Sequence, residues 1–287
     1  MEKLVEIMPV RNEGWILGFS LRAALMWADQ VVLLNHNSTD NTEQIIKDVA
    51  AENPGRVYYC NCMDAVWKEM AHRQTLLEMA RTLGATHIAT VDADEVVTGH
   101  CIEMFRHTTL HCDTDFSQLR WLHLWRSVDH VRTDGTWRNQ YATTGFRDNP
   151  KFGWHTRDGY DHHHRAPFNG VTYRRLITEG FASGLMHFQH VNWRRLLAKQ
   201  AWYQMIEVTR WPDREPVPTT RAKYEKTVNE EGRTLASAPH AWFEPYRHLL
   251  KYLDLDTPPW QEAVVKEMYT ADPMKFHGLN LFGVERA

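Results

Sequence analysis

Through the first 110 residues, short β-branched runs alternate with longer amphipathic segments, and that alternation leaves few folds open. Leu4–Val10, Gln30–Asn35, Arg56–Cys60 and Thr86–Val91 read as strands. Trp15–Trp27, Thr42–Ala51 and Trp67–Leu83 lie between them and read as helices. In the first, Ile16, Leu17, Leu21, Ala24 and Leu25 fall at helical spacing; the last stops at Gly84. One strand per helix, repeated, predicts an α/β chain with a mostly parallel sheet and right-handed crossovers. Ligands of such sheets bind beyond the carboxyl ends of the strands. The fourth strand ends there in Asp92-Ala-Asp-Glu95, three carboxylates in four residues.

Asp92 and Asp94 point to opposite sides of an extended chain, so both serve one site only if the backbone turns. A turn frees one carboxylate for a hard divalent cation while the other accepts from a sugar hydroxyl. An isolated Asp-x-Asp is as readily a solvated turn, so its company matters. The first strand runs into Arg11-Asn-Glu-Gly14, and the second into His36-Asn-Ser-Thr-Asp-Asn-Thr42. Arg11-Asn-Glu13, Ser38-Thr-Asp-Asn-Thr42 and Asp92-Ala-Asp-Glu95, in that order, resemble the glycosyltransferase family 2 pattern of the GT-A fold.

The resemblance implies an α/β GT-A architecture and transfer of a sugar from a nucleotide-diphosphate sugar, with a UDP-sugar the favoured donor, to an acceptor hydroxyl with inversion. It implies a Mn²⁺ or Mg²⁺ ion. It puts Pro9, Arg11, Glu13 and Asp40 in the nucleotide pocket, with Asp92 on the ribose or on water in the metal shell. Arg73, in Ala71-His-Arg-Gln74, matches a nucleotide-reaching arginine; Gln74 departs from the family's Asn. Asp94 is the implied metal ligand. A later histidine commonly joins it, and Leu185-Met-His-Phe-Gln-His190 offers His187 at the matching position, with His190 the alternative. The general base is expected in Arg157-Asp-Gly-Tyr-Asp-His-His-His-Arg165, where Asp161 is the first choice and Asp158 and His162–His164 are the others. Asp40 and Thr42 serve equally well as helix caps, and Arg73 as an ordinary helical arginine.

Composition narrows the alternatives. A formal net charge of -3 over 287 residues gives no general pull toward nucleic acid or anionic membrane, although Arg126, Arg132, Arg138 and Arg147 could form a local basic face. Cys60, Cys62, Cys101 and Cys112 show no paired C-x-x-C spacing. The N-terminus enters a strand at once, and no apolar run approaches the roughly 20 residues of a membrane span. A soluble cytoplasmic enzyme is expected. A metal-dependent phosphohydrolase or nuclease, or a non-catalytic carbohydrate-binding protein using some of the 12 tryptophans, are the competing readings. Polysaccharide, lipid-linked glycan, protein and modified nucleic acid stay open as acceptors.

Downstream, Phe116–Trp125, Val171–Ile177 and Ser183–Phe188 are expected strands, and 127–169 reads as a long functional loop. Asn192–Arg210 is expected to be a helix. Trp211–Pro218 reads as a linker, dividing a transferase domain over 1–215 from a helical appendage over 216–287 packed on it.

Overall fold

The computed structural model describes residues 2–155, 165–176 and 183–286. In chain order its main elements are β1 (Leu4–Val10), α1 (Leu17–Ala24), β2 (Gln30–His36), α2 (Thr42–Glu52), β3 (Val57–Cys62), α3 (Glu69–Thr82), β4 (His87–Ala89) and β5 (Glu95–Val97). There follow α4 (Ile102–Leu110), β6 (Phe116–His123), β7 (His130–Arg132), β8 (Tyr141–Arg147), β9 (Tyr173–Leu176) and β10 (Leu185–His187). The last are α5 (Trp193–Arg210), α6 (Val217–Val228), β11 (Leu235–Ser237) and α7 (Gln261–Ala271). No described helix is long and apolar enough to cross a membrane.

The chain divides into two compact units. The first comprises 1–123, 135–187 and 238–254. It holds the mixed sheet, ordered β3-β2-β1-β4-β8-β6-β10-β5, with β9 pairing with β6. The expected α/β architecture is present, and most strand pairings are parallel. β1 is buried along its whole length because helices cover both of its faces. Val5 and Ile7 pack with Met70, Leu76, Leu77 and Ala80 of α3 in one core cluster. Met8 faces Ser20, Ala23 and Ala24 of α1 on the other side. Gly84 ends α3 with a left-handed φ of 79°. Its N–H reaches the Arg81 carbonyl and that of Ala85 the Ala80 carbonyl, which satisfies two otherwise orphaned acceptors.

Glu6 is the exception inside β1. It is fully buried, and burial lifts its pKa well above the carboxylate range. Its Oε1 accepts from the Val91 N–H at 3.0 Å. β4 therefore stops at Ala89, two residues short of the expected strand end, and a side chain takes over where the ladder ends. The chain then turns instead of running on, and the acids open a short antiparallel return, β5, paired with β10. Segment 238–254 belongs to this first unit: Tyr246 donates to the Val97 carbonyl at 2.8 Å, and a Cβ on Gly99 would meet Pro245 at 2.5 Å. That helical stretch is a 3-10 helix, Glu244–Tyr252.

The second unit comprises 124–134, 188–237 and 255–287. α5 is capped by Asn192, whose Oδ1 accepts from the Arg195 N–H at 2.9 Å. Ala198, Ala201 and Met205 of α5 form a core with Val265, Phe276, Leu281 and Val284, and β7 pairs with β11. The boundary drawn from sequence near 215 falls inside this unit, because α5 takes both α6 and α7 as packing partners.

A half-buried carboxylate gives this unit an acid limit. Arg126 donates to Glu230 at 2.9 and 2.6 Å, Trp125 Nε1 donates at 2.7 Å, and Arg233 also contacts it. Chiefly through the Arg126 hydrogen bonds, Glu230 is held down to about 2. A depressed carboxylate stabilises the fold above its unfolded pKa, and that contribution fades as pH falls from about 5 toward 2. After discounting for solvent screening, Glu230→Gln should cost about 1–2 kcal/mol at pH 7. It should also flatten the melting temperature against pH between about 5 and 2. Equal slopes for variant and wild type would show that Glu230 does not set this limit.

Candidate active site

The first two strand ends are tied together by their loops. Asn12 sits at φ 53° and Asn37 at φ 45°, a left-handed region that Asn tolerates better than most residues. Asn12 Oδ1 accepts from the Thr39 N–H at 2.7 Å, and the Asn12 N–H donates to Ser38 Oγ at 2.9 Å. Glu13 N–H donates to Thr42 Oγ1 at 2.9 Å. Both oxygens of Asp40 are engaged, with the Gly14 N–H at 3.0 Å and the Thr42 N–H at 2.9 Å. Asp40, one residue before the Asn41 N-cap, thus accepts from the first N–H of α2 and fastens the β1 loop, while its side chain stays exposed. Glu13 Oε2 accepts from Trp15 Nε1 at 2.8 Å. Pro9 is buried within β1 opposite Leu34, and Arg11 is half-buried beyond the strand end.

The acids after β4 form a tight turn. The Glu95 N–H donates to the Asp92 carbonyl at 3.0 Å, and the Asp92 N–H donates to Glu95 Oε2 at 3.1 Å. The turn splits the two aspartates between different partners. Asp92 takes Arg73 on Oδ1 and Arg165 on Oδ2, each at 2.8 Å. Burial works against its ionisation, yet the two guanidiniums outweigh it and hold the pKa below the ordinary value. Arg165 also grips Glu95 through two bonds of 2.6 and 2.5 Å, and Trp121 Nε1 adds a third at 2.7 Å. At Glu95 burial outweighs Arg165 and the pKa is raised. Arg73, only 1% exposed, is braced by Glu69 at 2.9 and 3.1 Å. Among the described residues its buried Nη1 has no hydrogen-bond partner, a donor whose satisfaction requires a further acceptor.

Asp94 faces elsewhere. Its Oδ2 lies 3.4 Å from His187 Nε2, and both side chains are almost buried. Sheet register explains the meeting. His187 in β10 is the cross-strand partner of Glu95 in β5 on one side and of His123 in β6 on the other. The Nδ1 atoms of His187 and His123 are 3.2 Å apart, and His123 Nε2 reaches Gln140 Oε1 at 2.8 Å. The Trp121 ring stacks on His187 with centroids 4.7 Å apart.

The structure therefore brings Arg73, Asp92, Asp94 and His187 into one neighbourhood, and Pro9, Arg11, Glu13 and Asp40 into a second at the β1 and β2 ends. His190 belongs to the second unit, where its ring stacks on Trp125 at 4.7 Å. Asp161, with Asp158 and His162–His164, lies outside the described residues. Sequence reading missed Arg165, Glu69, Trp121, His123 and Glu6. Only Glu6 left a signal, as the sole charged residue within an apolar strand.

The family model for Glycosyl transferase family 2 matches residues 7–164, more than half of the 287 residues. The chain belongs to that family, and the α/β sheet expected from its motifs is present. No curated protein matches it in sequence. Among solved structures it is similar to S. aureus TarS residues 1–349 in complex with UDP-GlcNAc, at 18% identity and TM-score 0.36, over 42% of this chain and 35% of that one. The chain thus spans about a third of that protein. Against S. aureus TarS the identity is 14% and the TM-score 0.45, over 99% of this chain and 55% of that one. Glucosyl-3-phosphoglycerate synthase from Mycobacterium tuberculosis, in complex with Mg²⁺ and UDP, is similar at 12% identity and TM-score 0.32, over 42% and 44%.

Proposed function

We propose that this glycosyltransferase moves a sugar from a nucleotide-diphosphate sugar, first of all a UDP-sugar, to an acceptor hydroxyl with inversion, and that it depends on a divalent cation held by Asp94 and His187. The observation that carries this reading is the 3.4 Å approach of Asp94 Oδ2 to His187 Nε2 at neighbouring strand ends. The donor set fits: one carboxylate oxygen and one imidazole nitrogen suit Mn²⁺ better than Mg²⁺, which prefers oxygen alone. The surroundings fit as well, since Glu69, Asp92, Asp94 and Glu95 outnumber the guanidiniums of Arg73 and Arg165. When bound, such a cation neutralises charge on the departing diphosphate.

The remaining work falls to side chains of the protein. Arg73 and Arg165 hold Asp92 rigid and ionised, ready to accept from a ribose hydroxyl. The unpartnered Nη1 of Arg73 offers a charge-assisted bond to a phosphate or ribose oxygen. Glu13 and the loops locked through Asn12 and Asp40 would border the base, with Pro9 and Arg11 at the strand end. Asp161 is proposed as the group that removes the acceptor proton.

The cation assignment is tested by Mn²⁺ binding, read from the electron paramagnetic resonance of the free ion. His187→Ala should weaken binding by at least about tenfold, as ligand-shell losses do. His190→Ala should act mainly on melting temperature, through its stacking on Trp125. A larger binding loss in His190→Ala would reverse the assignment.

A further inference from the structure

A group of side chains of metal-ligating type lies at the ends of β2 and β3, apart from Asp94 and His187. Parallel pairing sets His36 directly beside Cys62 in register. His72, in the first turn of α3, comes over the same point. Its ring centroid is 4.8 Å from that of His36, and its Nε2 is 3.9 Å from Cys62 Sγ. One ligand atom from each residue lies within 4.8 Å of the other two. His36 is 0% and His72 4% exposed, and Trp67 meets both rings edge-on at 5.3 and 4.8 Å.

The hydrogen bonding leaves lone pairs unused. His36 Nε2 is 3.2 Å from the Val66 carbonyl oxygen, which only accepts, so the ring proton resides on Nε2 and Nδ1 carries a lone pair. Among the described residues that buried Nδ1 has no hydrogen-bond partner, and His72 turns its Nε2 toward Cys62 Sγ. A carbonyl on one imidazole nitrogen with the other nitrogen unused is the arrangement by which proteins orient histidine ligands. A purely structural packing of two imidazoles against Trp67 explains the burial but not the unpartnered Nδ1 of His36.

We propose that His36, Cys62 and His72 bind one borderline divalent cation of the zinc class, with the fourth coordination position left to water or a ligand. Two imidazoles and a thiolate select such a cation over Mg²⁺. Zinc bond lengths imply ligand separations of about 3.3–3.7 Å in a tetrahedron, so the Cys62 to His72 distance has only a few tenths of an ångström to close. Binding releases the Cys62 thiol proton to solvent, and the thiolate offsets one of the two positive charges. Asp64 and Glu69 add negative potential there, against Arg11 and Lys68. An occupied site would clasp the ends of β2 and β3 to the start of the helix that carries Arg73.

Cobalt is the probe. The full chain, stripped with a chelator and kept reduced with a non-thiol reductant, is titrated with Co²⁺. One equivalent should produce a thiolate-to-cobalt charge-transfer band in the near ultraviolet, and Zn²⁺ should bleach it. Cys62→Ser and His72→Gln should abolish or strongly weaken the band, whereas Cys60→Ser and Asp94→Asn should retain it. Circular dichroism confirms that each variant is folded, and Zn²⁺ should raise the melting temperature of wild type but not of Cys62→Ser. Absence of the band in the wild type, or its survival in Cys62→Ser, overturns the proposal. So does its loss in Cys60→Ser.

Discussion

Asp94→Asn lowers turnover of a UDP-sugar by about a thousandfold while shifting the melting temperature little, if the cation site is as proposed. The magnitude follows from what single charge-stabilising groups contribute at sites of developing negative charge, about 10²–10³-fold, with loss of the cation added. Asparagine keeps the volume and one oxygen of a side chain that is 9% exposed, so the packing around the turn is preserved. Release of UDP, followed at several Mn²⁺ concentrations, is the measurement. Turnover close to wild type at saturating Mn²⁺ would remove Asp94 from the site.

Arg165→Met is the substitution with the largest expected effect on stability. It strands Glu95, 1% exposed, without its bidentate partner, and it takes one of two guanidiniums from Asp92. Removing one member of a buried ion pair costs about 3–5 kcal/mol, most of it the uncompensated charge left behind. Glu95→Gln in the same chain should recover a substantial part, because an amide oxygen still accepts from Trp121 Nε1 while the buried charge is gone. Chemical denaturation of the single and double variants measures this coupling. A single variant destabilised by less than about 1 kcal/mol would mean that the clamp does not hold the turn.

Legibility from sequence followed burial pattern. β1, β2 and β4 could be read because they are buried on both faces, which leaves apolar runs, and Gly55 and Gly84, at φ 75° and 79°, mark the ends of the helices before β3 and β4. β8 could not be read from Tyr141-Ala-Thr-Thr-Gly-Phe-Arg147, since small polar residues give no alternation. Gly145 is small for a packing reason: a Cβ there would meet Thr109 at 2.6 Å. β5 was hidden because Glu95 reads as the end of an acidic turn, yet it begins a strand and is locked by Arg165. The aspartates of the site stood out as a motif. Their partners did not, because sheet register alone places His123 and Glu95 beside His187, and the pairing of β6 with β10 joins segments some 60 residues apart. The same holds for His36 and Cys62, whose meeting depends on the pairing of β2 with β3.

The most direct test of the central claim is the melting temperature of the wild-type protein with UDP, with and without Mn²⁺. Ligand at about 100 times its Kd stabilises the native state by about 2.7 kcal/mol, which for a chain of this size is a rise of several degrees. The account predicts that rise with UDP and Mn²⁺ together, and little with either alone. An unchanged melting temperature with UDP and the other nucleoside diphosphates, in Mn²⁺ and in Mg²⁺, would contradict it.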